Sequence, residues 1–416
     1  MTDLRINVDA NRVYRELDEL ATFNDAEIPA VTRVLYTPVD LKARAFLKRL
    51  CADAGLTVRE DPIGNLFARW AGSEPNLPAV GTGSHTDALP FAGRYDGTVG
   101  VLGGLAAIRA LQTARFRPRR SIELLMFTSE EPTRFGLGCV GSRGLCGALP
   151  PDKLANLRDK EDQRLDDLRL AAGFRGDLVG VRLPANYYSA FVELHIEQGP
   201  VLERENLPIG IVTAIAAPAA LRMTIEGEGG HAGAVLMPQR RDALCAAAEI
   251  ILAVEAAAKA TGSSDTVATT GICRVHPGAV NSVPSQVYLE IDVRDVRLEP
   301  RDQVVKAIRN AADDVSQRRG VKIAIEMFNA DPPATMAASV VSAAEAACKQ
   351  LGLTYKRMVS RAYHDTLFMA RLCETGMIFI PCRAGVSHRP DEYAAPEAIG
   401  RGVEVLALTL ARLSAD

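Results

Sequence analysis

The sequence lacks the features that mark several large classes of protein. Its 416 residues include eight cysteines but no Cys-x-x-Cys pair, which argues against a cysteine zinc site or a disulfide framework. No apolar stretch is long enough to span a bilayer, and residues 1–20 are charged where a signal peptide would be apolar. The net charge of −3 comes without a basic patch. We therefore expect a cytoplasmic globular protein that binds neither membranes nor nucleic acid.

Several catalytic motifs are missing as well. The chain has no Gly-x-Ser-x-Gly elbow, no Walker A lysine pattern and no His-Glu-x-x-His helix. Residues 136–141 do match Gly-x-Gly-x-x-Gly, but they do not directly follow a predicted strand, and Glu130 and Glu131 precede them. A dinucleotide site is therefore disfavoured.

The length predicts two domains, and the apolar pattern predicts an α/β fold. Residues 77–83 and 121–128 have the pattern of buried strands, and the small apolar residues 97–114 between them predict a helix. Strand, helix and strand at this spacing indicate a parallel pair. Residues 191–195 and 377–382 add two more buried strands. We expect a mostly parallel central sheet flanked by helices.

The pattern changes near residue 213 and changes back near residue 329. The intervening strands are predicted at 219–226, 266–275, 286–293 and 321–327, with helices at 240–260 and 301–318. This β-α-β-β-α-β order is typical of a ferredoxin-like α+β module. We therefore predict a discontinuous domain, 1–212 and 329–416, with residues 213–328 inserted as the second domain.

Potential metal ligands lie near the ends of the predicted strands. A single histidine after a strand is usually structural, and an aspartate before glycine is usually a turn residue. Two adjacent glutamates after an apolar strand, however, would be costly to bury without a cation. His85, Glu130, Glu131, His195 and His388 follow predicted strands, and Asp96 directly precedes the predicted helix 97–114. Together they predict a divalent-metal hydrolytic site, in which one glutamate binds metal and the other moves protons.

Three further residues have open interpretations. Asp87 is expected to accept the second ring N–H of His85 and so fix its tautomer. His231, between glycines in the insert, is either a turn residue or a group that acts on the site. Arg294 is either a salt-bridge partner in a sheet or a fork for a substrate carboxylate.

The chain resembles the amidohydrolase branch of the M20 metallopeptidase-like family. The motifs that carry the resemblance are His85-Thr-Asp, Tyr95-Asp-Gly, Ser129-Glu-Glu-Pro, Glu193-Leu-His-Ile-Glu-Gln-Gly, Gly230-His-Ala-Gly, Asn281-Ser-Val-Pro and Ser387-His. That branch contains N-carbamoyl-L-amino acid hydrolases, β-ureidopropionases, allantoate amidohydrolases and ureidoglycolate amidohydrolases. Any one of these motifs is weak, but the set is specific.

The resemblance implies a site with two divalent ions. His85, Asp96 and His195 would hold one ion, and Asp96, Glu131 and His388 the other. Glu130 would be the general base and His231 a second catalytic group. The implied substrate-binding residues are Gln198, Asn281, Arg294, Tyr363 and His364. The insert would serve as a lid and as the interface of a homodimer.

The run at residues 360–370 narrows the implied activity. It is similar to the ureidoglycolate amidohydrolases and lacks the Gly-Ala-Gly-His-Asp run of the other groups. The resemblance thus implies hydrolysis of a small ureido carboxylate, (S)-ureidoglycolate, to glyoxylate, ammonia and CO2 in allantoin degradation. Manganese is the implied metal, and the ligands also suit zinc. The alternatives are an N-carbamoyl-L-amino acid hydrolase, a β-ureidopropionase, an allantoate amidohydrolase, or a small-molecule binder without catalysis.

Overall fold

The computed structural model describes residues 4–415, which form two compact units. The first unit contains the chain up to Thr213, then Met336–Ser360, and the chain from His364 onward. The second unit contains Ala214–Thr335 and Arg361–Tyr363. The candidate ligands for a metal all lie in the first unit, so its sheet is the part of the fold that positions the site.

The strands are numbered along the chain. They are β1 (Val31–Arg33), β2 (Thr57–Glu60), β3 (Leu66–Trp70), β4 (Ala79–His85), β5 (Ala88–Ala92), β6 (Ile122–Phe127), β7 (Tyr188–Ile196), β8 (Ile209–Ile215), β9 (Ala217–Glu226), β10 (Gly230–His231), β11 (Val267–His276), β12 (Ser282–Val283), β13 (Gln286–Asp295), β14 (Lys322–Ala330), β15 (Ala334–Thr335), β16 (Tyr355–Ser360) and β17 (Glu374–Ile380).

The helices are numbered in the same way. They are α1 (Ala10–Ala21), α2 (Pro38–Asp53), α3 (Thr98–Thr113), α4 (Val140–Leu145), α5 (Pro151–Ala155), α6 (Leu165–Ala171), α7 (Val201–Arg204), α8 (Ala243–Ala260), α9 (Leu298–Arg319), α10 (Ala338–Gln350), α11 (Thr366–Met369) and α12 (Pro396–Ala415).

The main sheet has the order β15-β8-β17-β7-β4-β6-β3-β2, and β16 also pairs with β8. The four central strands β17, β7, β4 and β6 are mutually parallel, as the strand-helix-strand pattern predicted. The outer strands β8, β3 and β2 run antiparallel to their neighbours, so the expectation of a mostly parallel sheet is wrong and the sheet is mixed. The connection from β2 to β3 is a short loop, and a parallel pair would need a crossover of about a dozen residues or more.

The parallel strands are buried because helices cover the sheet. All residues of β4 and β6 are buried. Helix α3, which connects these two strands along the chain, packs on the sheet, and most of its residues are buried as well. A methyl group added at Gly100 of α3 would lie 2.5 Å from the carbonyl oxygen of Leu194 in β7. The small residues of α3 therefore set how closely the helix approaches the strands that carry the site.

The second unit is built on the antiparallel sheet β11-β13-β9-β14 with helices α8 and α9. In order of sequence its main elements are β9, α8, β11, β13, α9 and β14, which is the predicted β-α-β-β-α-β succession. Apolar residues of the sheet and of both helices form one core, which includes Leu221, Ile250, Leu289 and Ile308.

No helix among residues 4–415 combines the length and apolar character needed to cross a membrane.

Candidate active site

The carboxyl ends of the four parallel strands carry the predicted ligands. His85 is the last residue of β4, and His195 is the next to last residue of β7. Glu130 and Glu131 follow β6, and the loop after β17 leads to His388. Since neighbouring parallel strands end at the same edge of a sheet, these loops meet.

Asp96 lies at the centre of this edge, two residues before the start of α3. Its Oδ1 is 3.4 Å from Nε2 of His85 and 3.2 Å from Nε2 of His195. Its Oδ2 is 3.2 Å from Nε2 of His388, and this nitrogen is also 3.5 Å from Oε1 of Glu131. Two donor groups therefore share Asp96: the first is His85, Asp96 and His195, and the second is Asp96, Glu131 and His388. Within each donor group, one possible ligand atom of each residue lies within 4.8 Å of those of the other two. The two oxygens of a single carboxylate thus face two different sets of metal donors.

The local backbone brings Asp96 this close to the histidines. Gly97, which follows it, has φ of +65°, a conformation that glycine adopts without strain. A methyl group at Gly97 would lie 2.4 Å from Nε2 of His85. Glycine is therefore required at this position both by the backbone and by the space beside the imidazole.

The tautomers of two histidines follow from their backbone partners. Nδ1 of His85 is 3.1 Å from the carbonyl oxygen of Asp87, and Nδ1 of His195 is 2.9 Å from that of Ile196. Because a carbonyl oxygen only accepts hydrogen bonds, each neutral ring carries its proton on Nδ1 and has a lone pair on Nε2. Both Nε2 atoms lie near Oδ1 of Asp96, and Nε2 of His195 also accepts the backbone N–H of Gly97 at 3.1 Å. A positive charge between them is what makes the arrangement favourable, so the donor set fits a metal ion.

Asp87 has a different role from the predicted one. The His85 ring is closer to the backbone oxygen of Asp87 than to its carboxylate, which is 3.5 Å away. The carboxylate instead accepts the backbone N–H of Glu130 at 3.2 Å and of Glu131 at 3.0 Å. Asp87 therefore fixes the loop that carries both glutamates.

The two glutamates are buried next to each other. Burial raises the pKa of Glu130 well above its ordinary value; His85 opposes this shift and Glu131 adds to it. Burial also raises the pKa of Glu131 to about 7, with a further contribution from Asp96. Oε1 of Glu130 accepts the thiol of Cys139 at 3.5 Å, and Oε2 is 3.7 Å from Nε2 of His85. Glu130 belongs to neither donor group around Asp96, whereas Glu131 belongs to the group that contains His388.

Gln198 lies beside Asp96. Its side-chain N–H group donates to Oδ2 of Asp96 at 2.6 Å, while its buried Oε1 has no hydrogen-bond partner within the part of the chain that the structure describes. A buried acceptor without a partner is costly unless a ligand or water supplies a donor. Gln198 is thus placed to bind a group with an N–H bond.

His364 is buried beside one of the candidate ligands. Its ring packs edge-on against His195 with centroids 4.6 Å apart, and its Nε2 is 2.8 Å from Oγ of Ser360. Burial lowers the pKa of His364 well below its ordinary value, and His195 adds to this effect. His364 is therefore a neutral ring that supports His195.

Glu193, His195 and His364 form a third group of potential ligands. The Glu193 carboxylate, however, already accepts hydrogen bonds from the hydroxyl of Ser84 and from the N–H and hydroxyl of Thr366. Glu193 is fully buried and these bonds connect it to Ser84 and Thr366, so we assign this group a structural role.

The remaining predicted residues belong to the second unit. His231 and Asn281 are exposed. The guanidinium of Arg294 is held in a fork by the carboxylate of Asp292 and donates to the carbonyl of Arg361. Tyr363 donates its hydroxyl to Asp331. The predicted salt bridge of Arg294 is therefore confirmed, because a carboxylate of its own strand occupies its planar fork, whereas binding of a substrate carboxylate stays a prediction.

One residue of the site was missed in the sequence. Glu392 is buried and accepts the backbone N–H groups of Tyr95 and Asp96. The available signal was an acidic residue four positions after the candidate ligand His388. The sequence pattern around these positions does not indicate that Glu392 is buried while its neighbour Asp391 is exposed.

The sequence is similar to known proteins along most of its length. Residues 81–412 match the model of the peptidase family M20/M25/M40. The chain is similar to the ureidoglycolate hydrolase of Oryza sativa, with 53% identity over 98% of this chain and 85% of the relative. It is 39% identical to the N-carbamoyl-L-amino acid amidohydrolase of Geobacillus stearothermophilus over 98% of this chain and 99% of that one.

Solved structures also resemble this chain over nearly its whole length. The structure is similar to the crystal structures of AtUAH in complex with glyoxylate and with (S)-hydroxyglycine. Each has a TM-score of 0.89 and 51% sequence identity, and the match covers 99% of both chains.

The donor set predicts that divalent ions stabilise the folded protein. An ion that binds only the folded state adds about 2.7 kcal/mol at a concentration of about 100 times its Kd. Adding Mn²⁺ to chelated protein should therefore raise the thermal unfolding midpoint. Asp96→Asn should remove most of this shift, whereas Asp314→Asn, on an exposed face of α9, should keep it. An equal shift in both variants would show that the ions act elsewhere.

Proposed function

Since the chain belongs to the peptidase family M20/M25/M40, we propose that it is a metal-dependent amidohydrolase that cleaves the ureido C–N bond of (S)-ureidoglycolate. The observation that carries this proposal is that the Asp96 carboxylate belongs to two donor groups at once. The buried Glu130 lies next to these groups but belongs to neither. The substrate is supported by the rice ureidoglycolate hydrolase and by the glyoxylate and (S)-hydroxyglycine bound to AtUAH.

In this proposal His85, Asp96 and His195 hold one ion, and Asp96, Glu131 and His388 hold the other. When bound, divalent ions supply Lewis acidity, which makes water easier to deprotonate and polarises a carbonyl group. Manganese is the proposed metal. Zinc suits the same imidazole and carboxylate ligands.

Glu130 is the proposed general base. It accepts a proton from the attacking water, and its raised pKa places it nearer the operating pH than an exposed glutamate. Cys139 contacts Oε1, which leaves Oε2 for the proton. Glu130 then passes this proton to the terminal nitrogen of the ureido group as that nitrogen departs.

The products follow from the chemistry of the substrate. Water adds to the ureido carbon and the terminal C–N bond breaks, which releases ammonia and a carbamate. The carbamate loses CO2 to give hydroxyglycine, which breaks down to glyoxylate and a second ammonia. The Oε1 of Gln198, which lacks a partner within the described residues, offers an acceptor for a ureido N–H.

The roles of the residues in the second unit stay predictions. His231 would stabilise the developing oxyanion, Arg294 would bind the substrate carboxylate, and Asn281 and Tyr363 would contact the substrate. His364, which belongs to the first unit and lies beside His195, would also bind the substrate. A lid function of the insert, a homodimer formed through it, and a cytoplasmic location are also predictions.

Hydrolysis of an N-carbamoyl-L-amino acid is the second candidate, because a relative with that name is 39% identical over nearly the whole of both chains. Allantoate hydrolysis and β-ureidopropionase activity are related alternatives. Binding without catalysis is disfavoured, because a binder has no use for a buried base beside a complete donor set.

Substrate identity can be tested with a panel of ureido compounds. Chelated enzyme reloaded with Mn²⁺ should release glyoxylate and ammonia from (S)-ureidoglycolate, with a kcat/KM at least ~10-fold above that for N-carbamoyl-L-amino acids or allantoate. Enzyme kept in chelator should be inactive. Faster release of a free amino acid from a carbamoyl substrate would replace the proposed substrate with the second candidate.

Glu130→Gln tests the proposed base. The amide keeps the size of the side chain but cannot take a proton, so kcat should fall by ~10²-fold or more. The ion content should remain at the wild-type level, because Glu130 belongs to neither donor group. Glu74→Gln, at an exposed ion pair with Arg119, is the matched control and should keep full activity. Substantial turnover by metal-loaded Glu130→Gln would exclude this residue as the base.

A further inference from the structure

We propose that Glu392 is a positioning residue, which holds Asp96 and the loop of His388 in the arrangement that the second ion requires. This inference rests on the proposed metal site. Glu392 is 5% exposed and belongs to neither donor group around Asp96. It therefore acts through other residues.

One oxygen of Glu392 fixes the backbone at Asp96. Oε1 accepts the N–H of Tyr95 at 2.7 Å and the N–H of Asp96 at 3.1 Å. These two peptide groups lie just before the start of α3. A buried acceptor that holds two successive N–H groups sets the direction in which the Asp96 side chain leaves the backbone.

The other oxygen reaches the loop of His388. Oε2 of Glu392 is 2.9 Å from Oγ of Ser387, and this hydroxyl is also 2.5 Å from Oδ2 of Asp96. Ser387 directly precedes His388, whose Nε2 lies 3.2 Å from the same Oδ2. The Glu392 side chain thus connects the shared carboxylate with the segment that brings the last ligand to it.

The loop needs such a connection. His388 has φ of +58°, a conformation that residues other than glycine adopt only when their surroundings hold them there. His388 is also the exposed member of its donor group. Packing therefore contributes less to its position than it does for the buried His85 and His195.

The surroundings of Glu392 leave it little freedom. A methyl group at Gly93 would lie 2.3 Å from its carboxyl carbon, so the carboxylate packs directly against the chain at Gly93. Close packing and the hydrogen bonds from Tyr95 and Asp96 restrict the rotamers of this glutamate. This restriction is what allows it to position other groups.

The test compares metal binding by wild type, Glu392→Ala and Glu392→Gln after dialysis against buffered Mn²⁺. Wild type should bind two ions. Glu392→Ala should bind its second ion ~10- to 100-fold more weakly, so that it retains one ion where wild type retains two. Glu392→Gln should retain both, because its amide oxygen accepts the two N–H groups and its NH2 group donates to Ser387.

Two further variants control for stability. Asp295→Ala removes another buried carboxylate, which accepts the backbone N–H of Arg297 and two hydroxyl groups within the second unit, and it should keep both ions. Ser387→Ala removes only the hydroxyl between Glu392 and Asp96. Ser387→Ala should also weaken binding of the second ion, as Glu392→Ala does. It serves as the test if Glu392→Ala does not fold.

The outcomes separate this inference from the proposed function. Wild-type protein that fails to bind two ions would overturn the proposed metal site and this inference with it. Two tightly bound ions in wild type and also in Glu392→Ala or Ser387→Ala would overturn only the role of Glu392. Equal losses in the Gln and Ala variants would show that charge acts here, and would also overturn positioning through hydrogen bonds.

Discussion

The arrangement of the site depends on the Asp96 carboxylate, whose two oxygens face different histidines. Oδ1 lies near His85 and His195, and Oδ2 lies near His388. In the neutral form of His85 and His195, the ring nitrogens that face Oδ1 carry lone pairs, and buried carboxylates add negative charge around them. Groups of this kind repel each other without a cation, so the protein must hold them together through other bonds. The surrounding structure supplies those bonds.

Several side chains that bind no ion provide this support. Asp87 holds the backbone of Glu130 and Glu131, and Gln198 donates to Oδ2 of Asp96. Gly97 lets the chain turn directly beside the imidazole of His85. Hydrogen bonds within the protein thus help to position the candidate ligands, as supporting contacts do around metal sites.

The parallel strands and most of the candidate ligands could be predicted from the sequence, because long apolar runs indicate buried strands and their carboxyl ends share one edge. The predicted insert begins at residue 213, close to Ala214 of the second unit, whereas the chain returns later, after Thr335. The antiparallel outer strands were not predicted, since a short apolar segment does not show the direction of its neighbour.

The supporting contacts were the part that the sequence could not predict. Asp87 was assigned to the ring of His85, but its carboxylate binds two peptide groups of another loop. Glu392 is nearly 300 positions from Asp96, with |i−j| of 296. Contacts of this range depend on the paths of irregular loops, and periodicity carries no information about those paths.

The most direct test of this account is anomalous diffraction from crystals of the protein equilibrated with Mn²⁺. The account predicts two peaks about 3.5–4 Å apart, one on each side of Asp96. The first should lie between Asp96 and the pair His85 and His195, and the second between Asp96, Glu131 and His388. A single peak, or two peaks that do not share Asp96, would contradict it.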